Sequence, residues 1–61
     1  MMKFDEALIL KLVISAREYF EHYKHYGAEI ENALDMAIFD MYPNDNDPEG
    51  LYELVLDILK S

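Results

Sequence analysis

The sequence predicts an all-α fold: a small three-helix domain, with the first two helices as an antiparallel hairpin and the third packed across them. Two breaks and three periodic segments carry that prediction. Gly27, the first glycine, follows a long stretch in which apolar residues recur with a 3.6-residue period. The second break is Tyr42-Pro43-Asn44-Asp45-Asn46-Asp47-Pro48-Glu49-Gly50, which holds both prolines and a run of turn formers. The segments that remain, roughly 5–26, 28–42 and 48–60, are rich in Leu, Ala, Glu, Met and Ile. None alternates with period two, so none reads as a strand.

The first helix can be capped by Asp5, with Phe4 just outside it placed to staple onto Ile9. At about 100° per residue, Leu8, Ile9, Leu12, Val13, Ala16, Tyr19, Phe20, Tyr23 and Tyr26 share one broad arc. Lys11, Ser15, Glu18, Glu21, His22, Lys24 and His25 lie on the other, and Leu10 and Ile14 fall on that polar side, one turn apart. Gly27 is then either a sharp turn, using the left-handed cap conformation that costs glycine nothing, or a kink in one long helix.

The second helix has no good cap at its start. Its inner face is Ile30, Ala33, Leu34, Ala37, Ile38 and Met41, with Met36 and Phe39 nearly opposite, beside Asn32 and Asp35. The third has a strong start: Asp47 as capping carboxylate, Pro48 at the first helical position and Glu49 near the positive end of the dipole. It is apolar almost all round, with Glu53, Asp57 and Lys60 as a narrow polar stripe.

Composition narrows the function. The 61 residues hold thirteen acids against five bases, are 52% hydrophobic and 30% charged, and contain no cysteine. Residues 1–61 are therefore expected to form one acidic helical domain, near the lower size limit for folding alone. Without cysteine there is no disulfide framework and no thiolate zinc site. A net charge of −8 disfavours direct binding to nucleic acid or to an anionic membrane, and favours a basic protein as partner. The most apolar stretch, 7–14, is preceded by Asp5 and Glu6 and interrupted by Lys11, unlike a signal peptide, and is too short for a membrane span. A cytoplasmic location is expected, and a chain opening at Met1-Met2 without tag or linker is expected to be a complete small gene product.

The helices carry more apolar surface than one small core uses. Leu10, Ile14, Met36 and Phe39 are either scattered surface residues or part of a protein–protein contact, most simply a twofold homodimer. The expected seam runs along Leu10 and Ile14, with small Ala7 letting a partner helix approach and Arg17 placed to pair with an acid across the contact. Met36 and Phe39 form a competing patch that the third helix is wide enough to cover.

No catalytic set is visible, and no cofactor is expected. The only serines are Ser15 and terminal Ser61, and there is no Gly-rich phosphate loop. His22 and His25, with Glu18 and Glu21 nearby, are the one candidate metal cluster. The plainer alternative is a solvated face with Glu18–His22 and Glu21–His25 ion pairs at (i, i+4). Asp45-Asn46-Asp47-Pro48-Glu49-Gly50 matches the first half of a calcium loop, but the twelfth position is Leu56 instead of a bidentate Glu. The match fails there, and an acidic turn with a helix cap is the expected reading. Tyr19, Tyr23 and Tyr26 line one edge of the first helix, and Tyr42 and Tyr52 flank the acidic turn. Such tyrosines are core-edge residues or, beside acids, a hot spot for a basic protein.

One run resembles a known family. Tyr42-Pro43, then Asn44-Asp45-Asn46-Asp47, then Pro48-Glu49-Gly50-Leu51, is similar to the Tyr-Pro, acidic loop, Pro-Glu-Gly-Ile run of the colicin and pyocin nuclease immunity proteins. Those are small, acidic, all-α proteins that bind and block a basic nuclease domain. The resemblance implies that Tyr42 corresponds to the second of two recognition tyrosines, and Pro43, Pro48 and Gly50 to the structural turn. The chain departs from the family in its shorter length, in Met41 at the first tyrosine position and in the shorter loop between the prolines. For the family's acidic binding helix, Glu29, Glu31 and Asp35 would have to substitute.

The expected function is that of a non-enzymatic acidic binding protein, an inhibitor of the immunity or anti-defence kind that occupies a basic surface of a nuclease or nucleic-acid-binding protein. Its binding residues would be Tyr42, Asp45, Asp47, Glu49 and Tyr52 around the turn, with Glu31 and Asp35. The alternative is a structural or regulatory homo-oligomer whose acidity only keeps it soluble.

Overall fold

The computed structural model describes residues 6–44 and 50–61. In chain order they form α1 (Glu6–Tyr23), a 3-10 turn (Lys24–Tyr26), α2 (Ile30–Met41) and α3 (Leu51–Lys60), with no strand among the described residues. The helix α1 packs along α2 as an antiparallel hairpin through the most extensive interface, and α3 lies across both. The expected cap and staple at Asp5 and Phe4 fall outside the described residues.

The apolar arc of α1 does what its period requires. Leu12, Val13 and Ala16 are buried, and Leu8, Ile9 and Tyr19 pack at the margin of the core. The arc fails at its end. Tyr26, expected on the inner side, is 82% exposed, and Tyr23 is also exposed. The α-helix stops at Tyr23, and the 3-10 turn that follows advances about 120° per residue instead of 100°. Side chains beyond Tyr23 therefore rotate off the core.

Gly27 is a sharp turn, not a kink. Its φ of 88° lies in the left-handed region, its N–H donates to the Lys24 carbonyl at 3.1 Å, and the Ala28 N–H donates to the Tyr23 carbonyl at 3.3 Å. These two bonds make the Schellman pattern that ends a helix by satisfying its last carbonyls.

The start of α2 corrects an expectation. Glu29 and Asn32 form a capping box, in which Asn32 Oδ1 accepts the Glu29 backbone N–H at 2.8 Å. The pattern is easily missed because Glu is an uncommon cap and Asn stands where Glu or Gln is usual. Inward, α2 buries Ala33, Leu34, Ala37 and Ile38. Met41, assigned to the inner face, is exposed instead, because the buried layer stops at Ile38 and the helix ends three residues later.

The third helix is more two-sided than expected. Gly50 has φ 80°, a left-handed conformation that a regular α-helix cannot run through, so α3 begins at Leu51. The expected start at Asp47, Pro48 and Glu49 lies outside the described residues. Leu51 and Val55 are buried, with Tyr52, Leu56 and Leu59 packed against the core. Leu54 and Ile58 stand 40% and 39% exposed, so the wet side of α3 is wider than the stripe of Glu53, Asp57 and Lys60. A ten-residue helix laid across a hairpin touches it along one face only.

The layers close on Leu12, Leu34, Ile38, Leu51 and Val55, all fully buried, with no buried polar residue among the described ones. Every described charge is at the surface. The small side chains of Ala16 and Ala37 fill the same interior, and Ala33 is buried as well.

Candidate binding surface

The net charge is not spread evenly. Residues 1–26 hold four acids (Asp5, Glu6, Glu18, Glu21) and four bases (Lys3, Lys11, Arg17, Lys24), so that part of the chain is neutral. Residues 27–61 hold nine acids and a single base, Lys60, and therefore carry the whole of the −8. Composition over the full length hides this asymmetry; counting by segment exposes it.

On the α2–α3 side, Lys60 Nζ reaches back to Glu31 Oε2 at 2.7 Å and ties the end of α3 to the start of α2. That bond holds the Glu31 carboxyl below its ordinary range and the Lys60 ammonium above its own. Tyr52 lies against the same acids. Burial raises its phenol above the usual value, and the charges of Asp35 and Glu31 raise it further. Of the expected binding residues, Glu31 and Tyr52 thus lie beside Lys60, and Asp35 acts on Tyr52 through its charge. Tyr42 is half-buried at the C-terminal cap of α2, packed on the core, with its N–H on the Ile38 carbonyl at 2.7 Å. Asp45, Asp47 and Glu49 lie outside the described residues, as does the calcium-loop match apart from Gly50.

A second acidic feature was not expected. The Tyr19 hydroxyl of α1 donates a hydrogen bond to Asp40 Oδ2 of α2. This bond holds the Tyr19 phenol above its ordinary value, chiefly because Asp40 favours the protonated form. A groove opens on each side of it. One is lined by Tyr19, Tyr23, Asp35, Met36, Phe39 and Asp40, and the other by Tyr19, Tyr23 and Asp40 with Ser15, Glu18 and His22. The Tyr19 and Tyr23 rings stack at 6.3 Å between centroids, and His22 meets Tyr23 edge-on at 4.6 Å. Among the described residues, neither side is lined by a lysine or an arginine. Phe39 is 58% exposed, so α3 does not cover the Met36–Phe39 patch. The signal that would have located this groove is the (i, i+4) pair Tyr19–Tyr23 facing an acid in the last turn of α2.

Glu21 pairs with Lys24, 2.9 Å apart, which lowers the Glu21 carboxyl, and His25 acts more weakly in the same direction. His25 belongs to the 3-10 turn, out of helical register with Glu21. Among the described residues, no three His, Cys, Asp or Glu side chains come together as a metal site. Glu18, His22 and His25 therefore do not converge on one point.

The residues expected at a self-association seam all point outward. Leu10 is 59% and Ile14 49% exposed, and Ala7 and Arg17 beside them are also exposed. Among the described residues, no helix is long and apolar enough to cross a membrane. Neither a family model, nor a curated protein, nor a solved structure matches this chain.

Proposed function

We propose that this chain is a non-enzymatic acidic binding protein that occupies a basic surface of a nuclease or nucleic-acid-binding protein, as an inhibitor or mimic. One observation carries the reading: the entire net charge lies in residues 27–61, where tyrosine and carboxylates share a surface at Tyr52, Glu31 and Asp35. A segment this acidic attracts a basic partner before contact. The likeness of residues 42–51 to the turn of nuclease immunity proteins supports the same class of partner.

Affinity capture from the source cell, repeated at rising salt, tests the proposal. The expected partner is basic, is released by salt, and loses its activity when bound. Reversing charge at Glu31 and Asp35 together (E31K/D35K) should weaken capture. Recovery of only neutral or acidic partners, indifferent to salt, would overturn it.

The exposed Leu10 and Ile14 favour a second reading, a homo-oligomer whose acidity serves solubility. Burying two such side chains per chain is worth about 3–6 kcal/mol before association costs, enough for micromolar pairing only if their neighbours contribute. Light scattering at about 100 μM, far above a micromolar dissociation constant, should then show a dimer. Replacing both residues by glutamate (L10E/I14E) should give a monomer with its helical spectrum intact. A monomeric wild type, or a mutant that still dimerises, rejects this seam.

A further inference from the structure

The groove beside the Tyr19–Asp40 bond has the chemistry of a cation site, and its make-up is specific. Two stacked phenol rings form one wall, and two carboxylates, Asp35 and Asp40, stand at its α2 side. Asp40 uses Oδ2 for Tyr19, which leaves lone pairs on the carboxylate for further donors. Met36 and Phe39 supply an apolar floor. Across the bond, Glu18 adds negative charge, with His22 beside it.

From this geometry we propose that the groove takes an arginine side chain of a basic protein partner, its guanidinium against the Tyr19 and Tyr23 rings and its N–H donors on Asp40 and Asp35. Arginine fits better than lysine for three physical reasons. The planar guanidinium stacks on aromatic faces, binds carboxylates through more than one N–H, and is less strongly hydrated than an ammonium. Its aliphatic stem can lie on Met36 and Phe39 while the head stays among the acids. The Tyr19–Asp40 bond ties the two helices together, so the site exists before the ligand arrives and little ordering opposes binding. The inference rests on the reading that the partner is basic, and adds where and through which side chain it is recognised.

The test uses the full chain, isotopically labelled, titrated with the capped peptide Gly-Arg-Gly-Arg-Gly and with its lysine and citrulline counterparts, followed by amide shifts. The expected result is saturable shifts at Tyr19, Tyr23, Met36, Phe39 and Asp40 with the arginine peptide, weaker ones with lysine and none with citrulline. Exposed-surface variants Tyr23→Ala and Asp40→Asn should each weaken the arginine peptide about threefold to fivefold. Equal binding of arginine and lysine peptides, or binding unchanged in both variants, overturns the proposal. Saturable shifts confined to the α2–α3 side, around Glu31 and Tyr52, overturn the groove but leave the basic-partner reading standing. No saturable response to either cationic peptide overturns both.

Discussion

The Tyr19 hydroxyl and Asp40 Oδ2, twenty-one residues apart in sequence, are hydrogen-bonded across the α1–α2 interface. The bond joins the helices at the margin of the core, against which Tyr19 packs.

The bond makes Tyr19 a late-titrating tyrosine. Its phenol is raised, first by the hydrogen bond to Asp40, so the folded state keeps the proton after the unfolded state would release it. The stabilisation is complete below the ordinary tyrosine range and is lost as pH rises through the folded value. Phenolate absorbance across the five tyrosines should therefore show a high-pH component. Tyr19→Phe should remove part of it and Asp40→Asn should shift it down, while Tyr52→Phe removes the remainder, since burial raises Tyr52 too. A Tyr19→Phe titration differing from wild type only by one ordinary phenol contradicts the bond.

Gly27 should resist substitution for a backbone reason alone. A Cβ built there meets nothing within 4 Å, yet φ is +88°. Gly27→Ala is expected to lower unfolding free energy by about 1–2 kcal/mol, the usual cost of a left-handed alanine. Gly27→Asn should lose less, because Asn enters that region more readily. Urea melts of the two variants, read at equal m-value, check the order.

Core and surface apolar residues should separate cleanly. Leu34 is fully buried, and Leu34→Ala is expected to remove about 2–5 kcal/mol, much of what so small a domain has. Its thermal transition should become broad or vanish. Phe39→Ala, at a largely exposed site, should change stability by no more than about 0.5 kcal/mol. Similar losses at the two positions would mean that the packing of α2 differs from that described.

The Glu31–Lys60 pair should stabilise the α3 contact over a defined pH window. Glu31 is lowered by its bond to Lys60, so its contribution is present above the ordinary carboxylate range and is lost as pH falls through the folded value. Lys60 is raised by the same bond, so its share is present below the ordinary lysine range and is lost as pH rises through the folded value. Both side chains are solvent-exposed, so the effect is screened. Glu31→Gln should lower Tm by no more than about 5 °C at neutral pH and low salt. The difference from wild type should shrink in acid and in molar salt. A difference independent of both would assign the loss to packing instead of charge.

What the sequence alone determined was set by local chemistry. The 3.6-residue period placed Leu12, Val13, Ala16, Ala33, Leu34, Ala37 and Ile38 inside, and left Leu10 and Ile14 outside, because each choice depends only on where a residue falls around its own helix. Gly27 was legible as a break, turn or kink, for the same reason, since its conformational freedom is its own property, and the structure made it a turn. The tertiary structure decided what depends on two elements at once. Tyr26 lost its place in the core when the helix tightened into a 3-10 turn after Tyr23, and α3 kept Leu54 and Ile58 wet because it meets its neighbours along one face. The meetings of Tyr19 with Asp40 and of Lys60 with Glu31 could not be read from spacing, because separations of 21 and 29 residues carry no helical periodicity. Which helix faces meet is fixed by burial of the whole apolar surface, and the exposed polar groups pair with whatever that packing brings within reach.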